Sequence, residues 1–270
     1  MSKVHFGPAG IPISAEKRDT ISGMKKVKEL ELDAMEIEFV RNIYLNEQSA
    51  KEVKKANEEL NLKLSIHAPY FINLLSEKES VVEKSKKLIL QSLKIAEIIN
   101  AKFVVVHAAY YGKLSKEDAF EKMVKITKEI LKKANLKNSV LAYETMAKQS
   151  QFADFETLVE FYKEINHPNF SICVDFAHIF VFNDGKIDYK KIFDTLEKLS
   201  IKEVHSHFSN VKFNLKTKKF QDVHVPINSH PSFYELAKEL KKREFEITII
   251  SESPILEKDA IKMKNIFISI

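Results

Sequence analysis

Tryptophan is missing from this 270-residue chain, and cysteine occurs once, at Cys173. A single cysteine excludes an internal disulfide and fits a chain kept in a reducing compartment. Five glycines and seven prolines are too few for a low-complexity linker. No apolar run approaches the ~20 residues of a membrane-spanning helix. The opening MSKVHFGPAG lacks the apolar stretch of a secretory leader. The expectation is a soluble, cytoplasmic monomer with no membrane partner. Nor is charge of one sign in large excess, since 43 basic against 38 acidic residues give a net charge of +5. That mild basicity suits a phosphate-bearing partner and equally a lysine-rich solvated surface.

What is present is enough to build a sizeable core. Hydrophobic residues make up 44% of the chain, and short apolar runs alternate with longer amphipathic ones from end to end. The rhythm predicts strands at 3–6, 33–39, 62–67, 102–107, 139–144, 170–175, 202–208 and 246–252. Helices are expected near 15–31, 46–60, 77–99, 115–135, 154–166, 188–199, 231–243 and 257–267. Eight strand-then-helix units with no spare elements fit an α/β fold, a closed (β/α)8 TIM barrel, better than an open doubly wound sheet. No domain boundary suggests itself, so residues 1–270 read as a single domain.

One stretch, ICVDFAH at residues 172–178, carries the first chemical signal. An apolar strand ends at Asp175, and His178 follows one helical turn later. Strand parity extends the pattern. The outer face of each barrel strand packs on helices and should be the more apolar one. In the second strand that face is Met35, Ile37 and Phe39, which leaves Glu36 and Glu38 inward. The same rule turns inward His67 on the third strand, His107 on the fourth and Glu144 on the fifth. Asp175, then His205 with His207, and Glu252 follow on the sixth, seventh and eighth. A lone histidine after an apolar run is usually a hydrogen-bonded core residue, and a strand-end carboxylate is often a helix cap. Six such groups at strand ends point instead to metal, because unpaired buried charges are costly and cations neutralise them.

Neighbouring strands lie about 4.8 Å apart, so groups on consecutive strands can share an ion. His67, His107 and Glu144 form one set; Asp175, His207 and Glu252 form another, with Glu144 as the bridging carboxylate. His178, Asp222 and His224 are expected on loops beyond the rim, ready for a third ion. Five histidines with four carboxylates favour zinc over magnesium or calcium, with manganese also compatible.

The ordered series resembles the endonuclease IV family of abasic-site (AP) endonucleases, xylose-isomerase-like barrels with three zinc ions. The likeness runs through SIHAPYFINL, VVVHAAYYG, LAYET, ICVDFAH, HSHFSN, QDVH and SES. All nine family ligands have counterparts here. The resemblance implies a hydrolase of DNA repair that cuts the phosphodiester 5′ to an abasic site in double-stranded DNA. Water activated by the cations would attack phosphorus in line, with Glu144 and Glu252 as the catalytic carboxylates. It also places Tyr70 and Asn73, and by loop position Arg41, at the DNA. The departures lie in those loops. After Asp222-x-His224 the chain reads Val225, Pro226, Ile227, Asn228, Ser229 where the family usually has Gly-Glu-Gly, and GPAGIP replaces a Gly- and Ala-rich loop.

Two other readings come from different classes. One is a sugar isomerase or epimerase of the related barrels, holding a single metal with Glu144, Asp175, His207 and Glu252. That enzyme has no use for the remaining ligands. The other is a metal-bearing barrel that binds without turnover. Residues 209–221, SNVKFNLKTKKFQ, hold Lys212, Lys216, Lys218 and Lys219 without one acidic residue, with Phe213 and Phe220 interleaved. They are expected to form a loop that tracks phosphates and offers an aromatic ring to a displaced base.

Overall fold

In the computed structural model, which describes residues 1–270, the alternating runs become twelve strands and nine helices. The first stretch holds β1 (Lys3–Pro8), α1 (Thr20–Glu29), β2 (Ala34–Glu38), α2 (Glu47–Leu60), β3 (Lys63–His67) and α3 (Glu79–Ile99). Next come β4 (Phe103–Val106), β5 (Ala109–Tyr110), α4 (Lys116–Ala134), β6 (Val140–Glu144), β7 (Gln151–Phe152) and α5 (Phe155–Ile165). The chain continues with β8 (Phe170–Asp175), α6 (Phe176–Phe182), α7 (Tyr189–Lys198), β9 (Glu203–Phe208), β10 (Asn210–Asn214) and β11 (Lys219–Val225). It ends with α8 (Phe233–Lys241), β12 (Glu246–Ser251) and α9 (Glu257–Ser269).

Eight strands form one parallel sheet in the order β1-β12-β9-β8-β6-β4-β3-β2. A parallel bridge from Ala9 to Glu36 links its two ends, so the sheet is a barrel. Met35, Ile37 and Phe39 are buried, and so is Glu36, whose carboxylate meets His205 and His207.

Seven helices begin at a polar cap, Asp19, Asn46, Ser115, Asp154, Asp175, Asp188 or Ser232, whose side chain accepts an N–H from the first turn. The Asp19 cap explains why the first helix starts at Thr20 rather than near residue 15. Residues before it are tied elsewhere: Ile13 and Ser14 donate their backbone N–H groups to the Glu257 carboxylate, both at 2.9 Å. Helices α2 to α5 each end on an asparagine in the left-handed region, Asn61, Asn100, Asn135 and Asn166. Glycine usually takes that place; in a chain with five glycines, asparagine fills it.

The expectation of no spare elements is corrected. Helix α6, the β5–β7 ribbon and the antiparallel β10–β11 hairpin are all additions to the eight units. Contacts divide the chain into two compact units, a middle one of Ile37–Cys173 and a terminal one of Met1–Glu36 with Val174–Ile270. The middle unit packs α2 on α3, α3 on α4 and α4 on α5. Its core centres on Phe161, whose ring lies 5.4 Å from Phe152, 5.8 Å from Tyr143 and 5.6 Å from Phe170. In the terminal unit, Phe6, Phe233 and Phe208 link ring to ring at 6.1 and 5.1 Å. Phenylalanine supplies the aromatic bulk that tryptophan does not.

Candidate metal centre

In the middle unit β3 delivers His67 at its last residue, β6 delivers Glu144 at its last, and His107 follows directly on β4. Both imidazoles point at one carboxylate oxygen: His67 Nε2 lies 3.2 Å and His107 Nε2 2.9 Å from Glu144 Oε2. His67 and Glu144 are buried. His67 Nδ1 sits 2.8 Å from the Ala68 carbonyl oxygen. A carbonyl only accepts, so Nδ1 carries the proton and neutral His67 presents a bare Nε2 to the carboxylate. Two acceptors converge there, and only a cation or a shared proton makes that approach favourable.

Tyr70 covers this set. Its ring centroid is 4.4 Å from that of His67 and 5.2 Å from that of His107, and its hydroxyl donates to Glu38 Oε2 at 2.7 Å. Asn73 uses its side-chain oxygen to accept the N–H groups of Leu75 and Tyr110, each at 3.2 Å, and so ties the loop after β3 to β5. Arg41 is exposed in the bend after β2.

The terminal unit holds the other six ligand candidates. Asp175 ends β8 and caps α6 by accepting the His178 N–H at 2.7 Å. That cap fixes the turn that brings His178 Nδ1 within 3.5 Å of Asp175 Oδ2. His178 Nε2 lies 3.3 Å from Asp222 Oδ1, and His224 Nε2 lies 3.9 Å from the same oxygen. His207 Nδ1 lies 3.4 Å from Glu252 Oε1 and 3.9 Å from Asp175 Oδ2. Asp175, His178 and His224 each bring one donor atom within 4.8 Å of the others, so Asp175 stands with both sets. His224 repeats the His67 device: Nδ1 donates to the Glu252 carbonyl at 3.1 Å and leaves Nε2 bare.

The expectation that His178, Asp222 and His224 lie on loops is corrected. His178 is in α6, while Asp222 and His224 are in β11. The β10–β11 pairing jumps from Val211–His224 to Lys212–Gln221, which loops out Asp222 and Val223. A bulge of this kind re-aims a side chain beside a site. The lysine-rich segment is likewise a hairpin rather than a loop. Phe213 and Phe220 face each other across it at 4.9 Å, and Phe220 packs on Phe180 at 4.6 Å. Asn214 Oδ1 closes the turn by accepting from Lys216 and Thr217. Lys212, Lys216, Lys218 and Lys219 are all exposed; Lys219 Nζ lies 3.7 Å from Asp184. Phe220 is therefore committed to packing, and Phe213 is the ring left 43% exposed.

Parity turned Glu36, Glu38 and His205 inward without placing them among the metal ligands; inward Glu36 and Glu38 suited a polar interior for a small polyol. In the terminal unit Glu36 Oε1 lies 2.8 Å from His207 Nε2, and Oε2 lies 2.7 Å from His205 Nε2. All three side chains are buried. Burial alone would push the Glu36 carboxyl up, but the two imidazoles outweigh it and hold it well below the usual carboxylate range.

Clusters of imidazole and carboxylate donors of this chemistry fit divalent metal ions. The family model described as xylose isomerase-like TIM barrel matches residues 24–265. The uncharacterized protein MJ0133 of Methanocaldococcus jannaschii is 36% identical over 95% of this chain and 94% of its own. A probable endonuclease 4 of Sulfurihydrogenibium is 28% identical over 66% of this chain and 67% of its own. Among solved structures, endonuclease IV from Thermus thermophilus superposes with a TM-score of 0.69 at 20% identity, covering 97% of this chain and 98% of that one. D-psicose 3-epimerase from Clostridium cellulolyticum gives 0.71 at 14% identity with the same coverage. At those identities the two structures speak for the fold alone.

Proposed function

The chain belongs to the xylose isomerase-like TIM barrel family, and from that premise we propose that it is a metal-dependent phosphodiesterase that cuts DNA 5′ to an abasic site. The observation that carries this reading is the number of donors. A single-metal sugar isomerase needs Glu144, Asp175, His207 and Glu252. This chain adds His67 and His107 around Glu144, and a His178–Asp222–His224 set in the terminal unit.

His67, His107 and Glu144 would hold one ion; Asp175, His207 and Glu252 a second; His178, Asp222 and His224 a third. When bound, such ions supply Lewis acidity toward a phosphoryl oxygen and lower the pKa of water. The side chains around them do the rest. Asp175 sets the direction of His178 through the α6 cap. The Ala68 and Glu252 carbonyls keep the Nδ1 protons of His67 and His224, so their Nε2 atoms stay bare. Tyr70 lies over His67 and His107 and limits water access to them. The exposed lysines of the β10–β11 hairpin would take phosphate oxygens, with Phe213 beside them. Cys173 is buried and offers no nucleophile.

A second reading, a sugar epimerase, is favoured by Glu38 and by the segment after His224. Glu38 places a carboxylate against Tyr70, where DNA phosphate would be repelled and a polyol hydroxyl could bond. Asn228 and Ser229 donate their N–H groups to Asn210 Oδ1, and Ile227 donates to Asp259, so this segment is fastened to the terminal unit. The zinc-loaded protein should nick a duplex bearing one abasic site and leave a panel of ketoses unchanged. Epimerised ketose with an intact duplex would replace the first reading by the second.

A further inference from the structure

We propose that Glu36 is a positioning residue of the metal centre: its carboxylate, 2.8 Å from His207 Nε2, favours the proton on that nitrogen and so commits His207 Nδ1 to the metal. This rests on reading Asp175, His207 and Glu252 as a metal set, and not on the substrate being DNA. The geometry is confined to the terminal unit. Glu36 projects inward from β2, and each carboxylate oxygen meets one imidazole, Oε1 that of His207 at 2.8 Å and Oε2 that of His205 at 2.7 Å.

A carboxylate oxygen this close to each Nε2 favours the tautomer that carries its proton there. A neutral His207 with Nε2–H has its lone pair on Nδ1, the atom that faces Glu252 Oε1 at 3.4 Å and Asp175 Oδ2 at 3.9 Å. Glu36 thus fixes which nitrogen of His207 ligates and where it points, as a carboxylate behind a ligating imidazole does. His205, two residues back on β9, holds the second oxygen and stops the carboxylate from rotating off His207. Its ring stands 5.5 Å from that of His207 at 81°, so the two imidazoles reach the carboxylate from different directions. Glu36→Gln tests the idea because an amide keeps the shape but offers one acceptor and one N–H. It can serve only one of the two Nε2–H groups, and the imidazole facing its N–H must move its own proton to Nδ1.

The experiment uses the full zinc-loaded chain with 15N-labelled histidine. Long-range proton–nitrogen spectra show which ring nitrogen carries the proton, and competition with a chelator gives zinc affinity. The wild-type protein should show His207 protonated at Nε2 and not at Nδ1. Glu36→Gln should weaken one zinc ion by about 10–100-fold and leave the others unchanged. A wild-type His207 protonated at Nδ1 would overturn the proposal without any variant, even if Glu36→Gln fails to fold. Unchanged zinc affinity in folded Glu36→Gln would overturn it as well. If His207→Ala keeps the full zinc content, the metal reading of this set has failed, and the role of Glu36 fails with it. Failure of the Glu36 arms alone, with zinc lost in His207→Ala, leaves the metal reading standing.

Discussion

Glu144 gathers two imidazoles on one oxygen, with His67 Nε2 at 3.2 Å and His107 Nε2 at 2.9 Å. Glu144→Gln removes the charge that makes this cluster attractive to a cation and faces the histidines with an amide. Changes in the shell behind the ligands already lower metal affinity or activity by about 10–100-fold. Loss of this ligand should therefore reduce turnover by more than about 100-fold while circular dichroism stays native. Near-native turnover would remove the His67–His107–Glu144 set from the chemistry. His178→Ala should be milder, since it takes one donor from a set that Asp222 and His224 still hold. At this scale strand parity pointed to six of the nine candidate donors, because inward positions at strand ends follow from period-two alternation; His178, Asp222 and His224 came from their spacing and from the family resemblance. Parity could not assign Glu36. Which imidazole a buried carboxylate meets depends on side-chain reach between β2 and β9, far apart in sequence.

Among the elements, the eight sheet strands were legible because apolar runs and caps mark them. The β10–β11 hairpin was not. Its strands alternate lysine with phenylalanine, and the pattern becomes a ladder only once Phe220 finds Phe180. Helix α6 escaped for a similar reason, since FAHIFVF has no polar face to give helical periodicity. The hairpin makes the DNA reading testable by salt. Each phosphate contact on duplex DNA contributes about 0.9 to the slope of log affinity against log salt. Lys212, Lys216 and Lys218 are exposed, whereas Lys219 lies near Asp184. Changing the first three to alanine should flatten the slope by up to roughly 2 to 3 units without altering metal content. An unchanged slope would take the hairpin out of the DNA interface.

A second test at the element scale concerns how α3 holds the loop before β6. Glu97 accepts backbone N–H groups from Lys137, Asn138 and Ser139 at 3.2, 2.9 and 2.7 Å. Burial alone would raise its pKa, but these three donors outweigh it and hold the carboxyl below its ordinary value. A depressed carboxylate contributes stability that is present above its unfolded pKa of about 4.3 and is lost as pH falls through the lower folded value. Glu97→Gln should therefore cost about 1–2 kcal/mol near neutral pH. The gap to wild type should close in denaturation curves run below about pH 4. A gap that persists in acid would mean the carboxylate charge is not what fastens the loop.

For the molecule as a whole, the barrel was legible from eight repeated units, and the sheet order bears it out. The contact-defined units were not legible, since their borders at Glu36/Ile37 and Cys173/Val174 fall inside strands β2 and β8, where no linker composition marks them. No helix is long and apolar enough to cross a membrane. What most sharply separates the readings is how many ions the chain carries. Elemental analysis of protein purified without added metal should return close to three ions per chain, zinc dominating, with separate losses in His67→Ala, His207→Ala and His224→Ala. One ion per chain, lost in His207→Ala and indifferent to His67→Ala and His224→Ala, would contradict the account and leave a single-metal enzyme in its place.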